Sequence, residues 1–518
     1  MPMGNDYDSA VSENTFMLQQ EYQVLVIGGG INGTGVAREA ASQGYSTLLV
    51  EKNDFGHATS GNSSKLVHGG IRYLENYDFK LVHESLKERR VLLRTAPHLV
   101  HPLRFNIPVY EGDKRPAWMV QTGCKLYDLF AGRKNLKHSC RLDKKAASAL
   151  TVLRQEGLSA ILQYSDAQTD DSRLCLATAL TAELYGADVH NYMAVTQIHP
   201  QGDHYQVTLH DHRTRQEHSV RCKYLVNAAG PWVPGLDTML PHTKVHPALK
   251  YVRGIHFVVP KMFDHQGFLI MPADGRIVFV LPWKDNFTLI GTTESEYTGS
   301  QFDVIPPSQE EISYLLDVTS HYFPASNIAQ KDILHIYSGV RCLVSHGESN
   351  MTTMSREYGI VEEQQNADSG YLAVFGGKLT SYRSLGEKVV KRIRASLVPQ
   401  GPRNHHTETD LILGAGQVPE GIAASWKKRL AAVGLDKTWV QKWQSRYGSQ
   451  WLEVARYILD QEGGEQEIIP GLCRGELSYM HTEEKAVSLE DIIVRRTKLV
   501  YTASDEEKEI LIRELEKF

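Results

Sequence analysis

Four residues set the first chemistry that this chain can do. Gly28, Gly30 and Gly33 fill a G-x-G-x-x-G spacing in the segment YQVLVIGGGINGTGVAREAASQGYSTLLVE, and Glu51 ends that segment. Gly28 suits a tight strand-to-helix turn, Gly30 lets a pyrophosphate approach the backbone, and Gly33 lets helix and strand pack closely. A helix that starts there offers free N–H groups and the positive end of its dipole to phosphate. A carboxylate at the end of the second strand can accept the hydroxyls of an adenosine ribose, and it disfavours a 2′-phosphate. Strand, helix, strand and acid occur in register, which a glycine-rich turn without a ligand does not require. FAD and NAD share this fingerprint, so the segment does not choose between them.

More chemistry-bearing residues follow in short clusters. Residues 59–64 carry a hydroxyl at four of six positions, Ser60, Ser63 and Ser64 among them, and can wrap a polar ligand. His68 stands beside two glycines, with Arg72 and Tyr73 just after. The run LVNAAGPW brings Gly230 to the end of an apolar strand, where backbone can approach a nucleotide. His256 lies on a strand-like run, a position where a histidine is usually structural. Arg341 and Arg356 bring two guanidiniums. Gly376, Gly377, Lys378, Leu379 and Thr380 precede a helical pattern, which makes a second anion-friendly helix start.

The elements that must hold these residues are legible in outline. Residues 24–28 and 46–50 read as strands buried on both faces, with a helix between them that Gly44 stops. Residues 169–172 supply capping side chains for a helix over 174–185, and strands follow at 192–198, 205–211 and 218–226. Residues 235–335 alternate strand-like runs with turns and read as a largely antiparallel sheet. A helix covers 379–397, residues 399–402 read as a linker, and the pattern from 421 onward is helical. Trp426, Trp439, Trp443 and Trp451 lie in that last part, as core residues.

Composition excludes several classes of function. The 518 residues carry a net charge of −5, which argues against general nucleic-acid binding. No apolar run of 18 residues exists, so no spanning helix is expected. Six scattered cysteines form no C-x-x-C pair, which fits a reducing compartment and no metal site. Residues 1–21 hold acids and no Lys or Arg, so they read as a disordered leader rather than a signal or transit peptide. Between 124 and 145, seven Lys or Arg stand against Asp128 and Asp143, with Trp118, Met119, Leu126, Tyr127, Leu129 and Phe130 before or among them. That mixture suits either a solvated basic face or docking on an anionic bilayer.

The segment ATSGNSSKLVHGGIRYLE closely resembles the FAD-dependent, membrane-associated glycerol-3-phosphate dehydrogenases of the D-amino-acid-oxidase-like flavoprotein group. APHLVHPLRF, YSDAQTDDSRL, YLVNAAGPW, LIGTTE, SGVR, FGGKLTSYR and LEDIIVRRTKL extend the resemblance to about residue 499. It implies FAD as cofactor and an α/β and α+β fold of three domains. These are a discontinuous Rossmann-like FAD-binding domain (22–95, 165–234 and 336–398), an antiparallel-sheet substrate cap (96–164 with 235–335) and a C-terminal all-helical domain (405–518).

The implied reaction oxidises sn-glycerol 3-phosphate to dihydroxyacetone phosphate by hydride transfer to FAD. Arg72, Tyr73, Arg356 and Lys378 are then the candidates for holding the substrate phosphate. His68 and His256 are the candidate bases, and Arg341 assists electrostatically or serves as the base itself. Gly28, Gly30, Gly33, Glu51, Ser60, Ser63, Ser64, Gly230, Gly377, Leu379 and Thr380 are assigned to the cofactor. The expected partners are a membrane quinone as electron acceptor, an anionic lipid surface and a second copy of the chain. The expected location is the cytoplasmic face of the membrane. Cys342 stands where the family usually has proline, which leaves the setting of Arg341 open. The alternatives are a glycerol-3-phosphate oxidase using oxygen, disfavoured because there is no room for its extra cap insertion, or an amine or amino-acid oxidase of the same group.

Overall fold

The computed structural model describes residues 18–75, 77–132, 135–240, 247–344 and 358–518. Its first sheet grows around the strand Glu21–Ile27, which is hydrogen-bonded in parallel to Thr47–Val50 on one side and Glu217–Asn227 on the other. Asp188–His190 extends the sheet beyond Thr47–Val50, and Gly370–Gly376 extends it beyond Glu217–Asn227, both in parallel. Tyr358–Gln364 folds back antiparallel on Gly370–Gly376. The meander Met193–Gln201, His204–Asp211 packs against the first half of Glu217–Asn227. Strand alternation explains the burial on both faces. Val24 and Val26 enter a core with the helices Ile31–Ser42, Asp171–Leu184 and Tyr382–Ile393, while Leu25 and Ile27 enter a second core with the meander.

The second sheet has ten strands among the described residues, with Leu249–Pro260 at its functional centre. It is antiparallel except where Gln266–Ile270 runs beside Val100–Tyr110. Ile255, Phe257 and Val259 point into a core with Ile312, Leu315 and Val318 of the helix Gln309–Tyr322. With a side-chain period of two, His256 must face the other way, toward the first sheet. The strand His335–Val344 pairs with Leu249–Pro260 from Val344↔Leu249 to His335↔Val258. Sequence division places 336–398 with the nucleotide-binding part. The structure pairs 336–344 with Leu249–Pro260 in the second sheet, while Val344 at its end still packs into the core of the first sheet. Leu158–Thr169 and Leu66–Val67 join the same sheet, so 165–169 and 66–67 also cross the expected boundary.

Past residue 405 the helices Glu420–Ala432, Lys437–Tyr447, Trp451–Asp460, Arg474–Thr482 and Asp505–Leu515 enclose a separate core, with a two-stranded ladder added at Glu467–Ile469 and Leu472–Cys473. Trp443 and Trp451 are fully buried there, and Trp426 and Trp439 pack at its edge. Buried charge joins this unit to the rest. The π-helical turn Asp491–Arg496 carries Arg495 and Arg496, which both donate to Asp54 at 2.6 Å. Lys498 reaches Asp170 at 2.9 Å, and Arg173 pairs with Glu484 at 2.8 Å. The expected leader ends within the described residues, since Glu21 already belongs to the first strand; residues 1–17 lie outside them.

Candidate active site

The turns after Glu21–Ile27, Thr47–Val50, Glu217–Asn227 and Gly370–Gly376 open into one cavity of about 530 Å³. Gly28 takes φ +109°, a conformation that side chains rarely adopt, and donates to the Val50 carbonyl at 2.8 Å. Gly33 does not reach the cavity. A Cβ there would stand 1.8 Å from the Gly28 carbonyl oxygen, so it serves close packing, as its place in the spacing predicts. Glu51 accepts from Gly29 N at 2.6 Å and from Asn53 N at 2.9 Å. Burial pushes its carboxyl up, and the two N–H groups beside it pull it back.

The hydroxyl loop 59–64 is divided between tasks. Ser60 Oγ accepts from Ile31 N at 3.0 Å and so caps the first helix. Ser63 donates to Asp171 at 2.8 Å, while Ser64 Oγ lies 2.8 Å from His256 Nε2. The two glycine-preceded helix starts meet, since Asn32 Nδ2 donates to the Gly376 carbonyl at 2.9 Å. Thr380 ties the second start to the histidine loop: its Oγ1 accepts from His68 N at 3.0 Å and donates to His68 O at 3.2 Å. Gly30, Gly230, Gly377, Lys378 and Leu379 line the same cavity. Arg72 and Tyr73 line it from the short helix Ile71–Leu74, with Lys378 Nζ 3.7 Å from the centre of the Tyr73 ring. Arg356 lies outside the described residues.

The cap contributes a stripe from two paired strands. His256 is opposite Tyr337, Gly254 opposite Gly339 and Val252 opposite Arg341, so these side chains share one face. The glycines between the large residues make room. A Cβ on Gly254 would stand 2.3 Å from Thr292 Oγ1 and 3.3 Å from Arg341 Nη2, and one on Gly339 would stand 2.8 Å from the Asn62 carbonyl. Arg341 is oriented by Glu294, 3.4 Å from Nη1. Cys342 continues the ladder opposite Tyr251, so Arg341 sits on an unbroken strand.

The His256 ring stacks on Tyr337 at 5.1 Å and 14°. Its Nδ1 is buried and has no hydrogen-bond partner within the chain. Burial first, then the charges of Lys65 and Arg341, hold its pKa well below the usual 6.5, so the ring is neutral. Residue types alone gave no sign of Tyr337, Asn32 or Lys65. Each nevertheless stands beside or inside a motif: Asn32 in G-x-G-x-x-G, Lys65 after the serine loop and Tyr337 before SGVR.

A dinucleotide cofactor fits what is present. Glu51 keeps lone pairs for a ribose, the helix start at Ile31 faces the cavity, and Asn32 Oδ1 is a buried acceptor without a partner. Gly230, at φ +57°, has nothing within 4 Å of where its Cβ would stand. Residues 23–383 match the FAD dependent oxidoreductase family, and 405–515 match the C-terminal domain of alpha-glycerophosphate oxidase. The chain is 37% identical over 491 residues to a glycerol-3-phosphate dehydrogenase of Pseudomonas aeruginosa, covering 93% of this chain and 92% of that one. It is 34% identical over 478 residues to a D-erythritol 1-phosphate dehydrogenase of Brucella abortus, covering 92% and 94%. The glycerol-3-phosphate dehydrogenase of Bacillus halodurans, solved with FAD, superposes with a TM-score of 0.77 at 28% identity, covering 96% of this chain and 91% of that one. The chain belongs to the FAD-dependent oxidoreductases, in the group that holds the glycerol-3-phosphate dehydrogenases, and FAD is its cofactor.

Proposed function

We propose that the protein oxidises sn-glycerol 3-phosphate to dihydroxyacetone phosphate and passes the electrons to a membrane quinone. The observation that carries this reading is the convergence of Arg72, Tyr73 and Lys378 with His256 and Arg341 on one cavity that also holds the nucleotide loop. FAD supplies the hydride acceptor. Lys378 and Arg72 bind the phosphate, with the Tyr73 ring beneath the Lys378 ammonium, and Arg356 joins them on the strength of the family resemblance. Phosphate bound there fixes the carbinol carbon, a use of remote binding energy for orientation.

His256 is the base. In this reading the ring proton sits on Nε2 and is donated to Ser64, which lies 2.8 Å away, and the unpartnered Nδ1 is left with its lone pair for the proton of the C2 hydroxyl. His68 orders the loop through Thr380. Arg341 stabilises the developing alkoxide.

The relative acting on D-erythritol 1-phosphate supports a second substrate of the same class, a four-carbon polyol monophosphate. Anaerobic bleaching of the flavin decides between them. Glycerol 3-phosphate should reduce it with the higher kcat/KM, erythritol 1-phosphate more slowly, and glycerol not at all. Equal reduction by glycerol would overturn the phosphate assignment.

Peripheral attachment to an anionic membrane completes the reading. The helix Ala117–Ala131 exposes Trp118, Met119 and Leu129, and Tyr77 and Phe79 stand exposed beside it, with Phe79 stacked on Phe130 at 5.4 Å. Lys125, Lys137, Arg141, Lys144 and Lys145 are exposed along the same stretch. An apolar patch rimmed by cations suits an anionic lipid surface. No helix among the described residues is long and apolar enough to cross a membrane.

A further inference from the structure

We propose that Lys65 is a positioning residue for His256: its ammonium, clamped by Asp171, fixes both contacts of the imidazole and keeps the ring uncharged. This rests on the reading of His256 as the base. Lys65 is 3% exposed and holds a left-handed backbone conformation, φ +56°, which few residues with a long side chain adopt. Its Nζ donates to Asp171 at 2.6 Å and to the Gly61 carbonyl at 3.0 Å. The ammonium also stands 4.9 Å from the centre of the Tyr337 ring.

Both partners of the His256 ring hang on this pair. Ser64, next to Lys65, holds Nε2, and Tyr337 stacks on the ring. Tyr337 in turn donates to the Ser63 carbonyl at 2.8 Å, and Ser63 is bound through its hydroxyl and its N–H to the second oxygen of Asp171. The Lys65–Asp171 pair therefore braces the serine loop and the tyrosine together. It does so beneath the cavity, where no substrate needs to touch it.

The charges around the imidazole explain the second half of the proposal. From the serine loop Lys65 faces it, with Asp171 behind and neutralised by contact. From the strand His335–Val344 come Tyr337 and Arg341, the latter tied to Glu294. The strand Phe287–Gly291 offers only Gly291, on which the ring lies. Two cations, Lys65 and Arg341, act on the ring, and each is paired with one carboxylate. Together with burial they oppose its protonation, in the direction already described. An uncharged imidazole with one nitrogen committed to Ser64 has a single way to take a proton.

The test compares Lys65→Met, Lys65→Arg and the paired change Lys65→Met with Asp171→Asn, which avoids a lone buried carboxylate. Histidine labelled with ¹³C at Cε1 gives the His256 titration directly, and His256→Gln identifies its resonance. The expected result is an upward move of about one pH unit in Lys65→Met. Lys65→Arg should leave the titration in place. The acid limb of flavin reduction should follow the resonance. If the resonance and the acid limb stay put in both methionine variants while flavin absorbance is native, Lys65 has only a structural role. If instead His256→Gln reduces flavin at the parental rate, His256 is not the base, yet the resonance still reports whether Lys65 sets its charge.

Discussion

Asp54→Asn probes how the C-terminal unit is held to the nucleotide-binding part. Asp54 is fully buried and accepts from Arg495 Nε at 2.6 Å and from Arg496 at 2.6 and 2.9 Å. Burial alone would raise its pKa. The guanidiniums of Arg496 and Arg495 more than reverse this and hold it at about 2. A carboxyl lowered from 3.8 to about 2 contributes about 2 kcal/mol, fully present above pH 3.8 and lost as pH falls through about 2. Truncating one partner of a buried pair costs more, about 3–5 kcal/mol, because charge is left behind. Here Arg495 keeps Asp491 and Arg496 keeps the Glu484 carbonyl, and asparagine still accepts one bond. The expected loss is therefore about 2–3 kcal/mol, or a fall in Tm of about 8–12 °C for a unit of this size. Tryptophan emission reads the C-terminal unit, because Trp443 and Trp451 are buried in it, and flavin absorbance reads the cofactor separately. A variant that melts within about 1 °C of the parent would refute the idea that this cluster joins the two parts.

Lys378→Met should raise KM for glycerol 3-phosphate by roughly 10- to 150-fold with flavin still bound, the worth of one charge-assisted bond to phosphate, measured in steady state. Arg341→Met should instead lower kcat with little change in KM, and an unchanged kcat would remove it from the chemistry. Since the pKa of His256 in the folded chain lies well below 6.5, flavin reduction should be level from pH 6.5 upward and fall only in more acid buffer. In that acid window the unfolded chain binds more protons than the folded one, so stability should fall with it. Changing Trp118 and Leu129 to Ser should release the protein from anionic vesicles while leaving glycerol 3-phosphate oxidation in solution intact; retained binding would move the docking face elsewhere.

The nucleotide loop was readable from sequence because its whole geometry is local. Gly28, Gly30, Gly33 and Glu51 lie in one strand–helix–strand unit, and each residue's role follows from its spacing. His256 and Arg341 were different. On its own run His256 reads as structural and Arg341 as one guanidinium among several, and only the family resemblance gives either a role. What brings them to one face is the register of Leu249–Pro260 on His335–Val344, with Gly254 and Gly339 as the gaps between the large side chains. Register between distant strands cannot be read from one chain. Lys65 and Asp171 lie 106 residues apart and were invisible for the same reason. The strand His335–Val344 joins the second sheet through the same register, which its neighbours in the sequence do not reveal.

Asp170 and Asp171 show how a correct local reading can hide a larger role. In the sequence they cap a helix, and Asp170 does accept from Arg173 N at 3.3 Å. A cap of that kind is worth about 1 kcal/mol. The same two carboxylates also gather lysines from every part of the fold. Asp170 takes Lys284 from the cap at 3.0 Å and Lys498 from the C-terminal unit at 2.9 Å. Asp171 takes Lys65 from the serine loop at 2.6 Å. Burial opposes the Asp170 charge, and the lysines Lys284, Lys498 and Lys65 outweigh it, so its pKa lies far below the ordinary range. Two adjacent carboxylates thus set the cap, the C-terminal unit and the serine loop beside His256 against one helix end. A residue pair that ties these three segments together also holds His256, on the cap, at a set distance from the nucleotide loop. The cavity between the two sheets is thereby held open at one width without a linker to measure the gap.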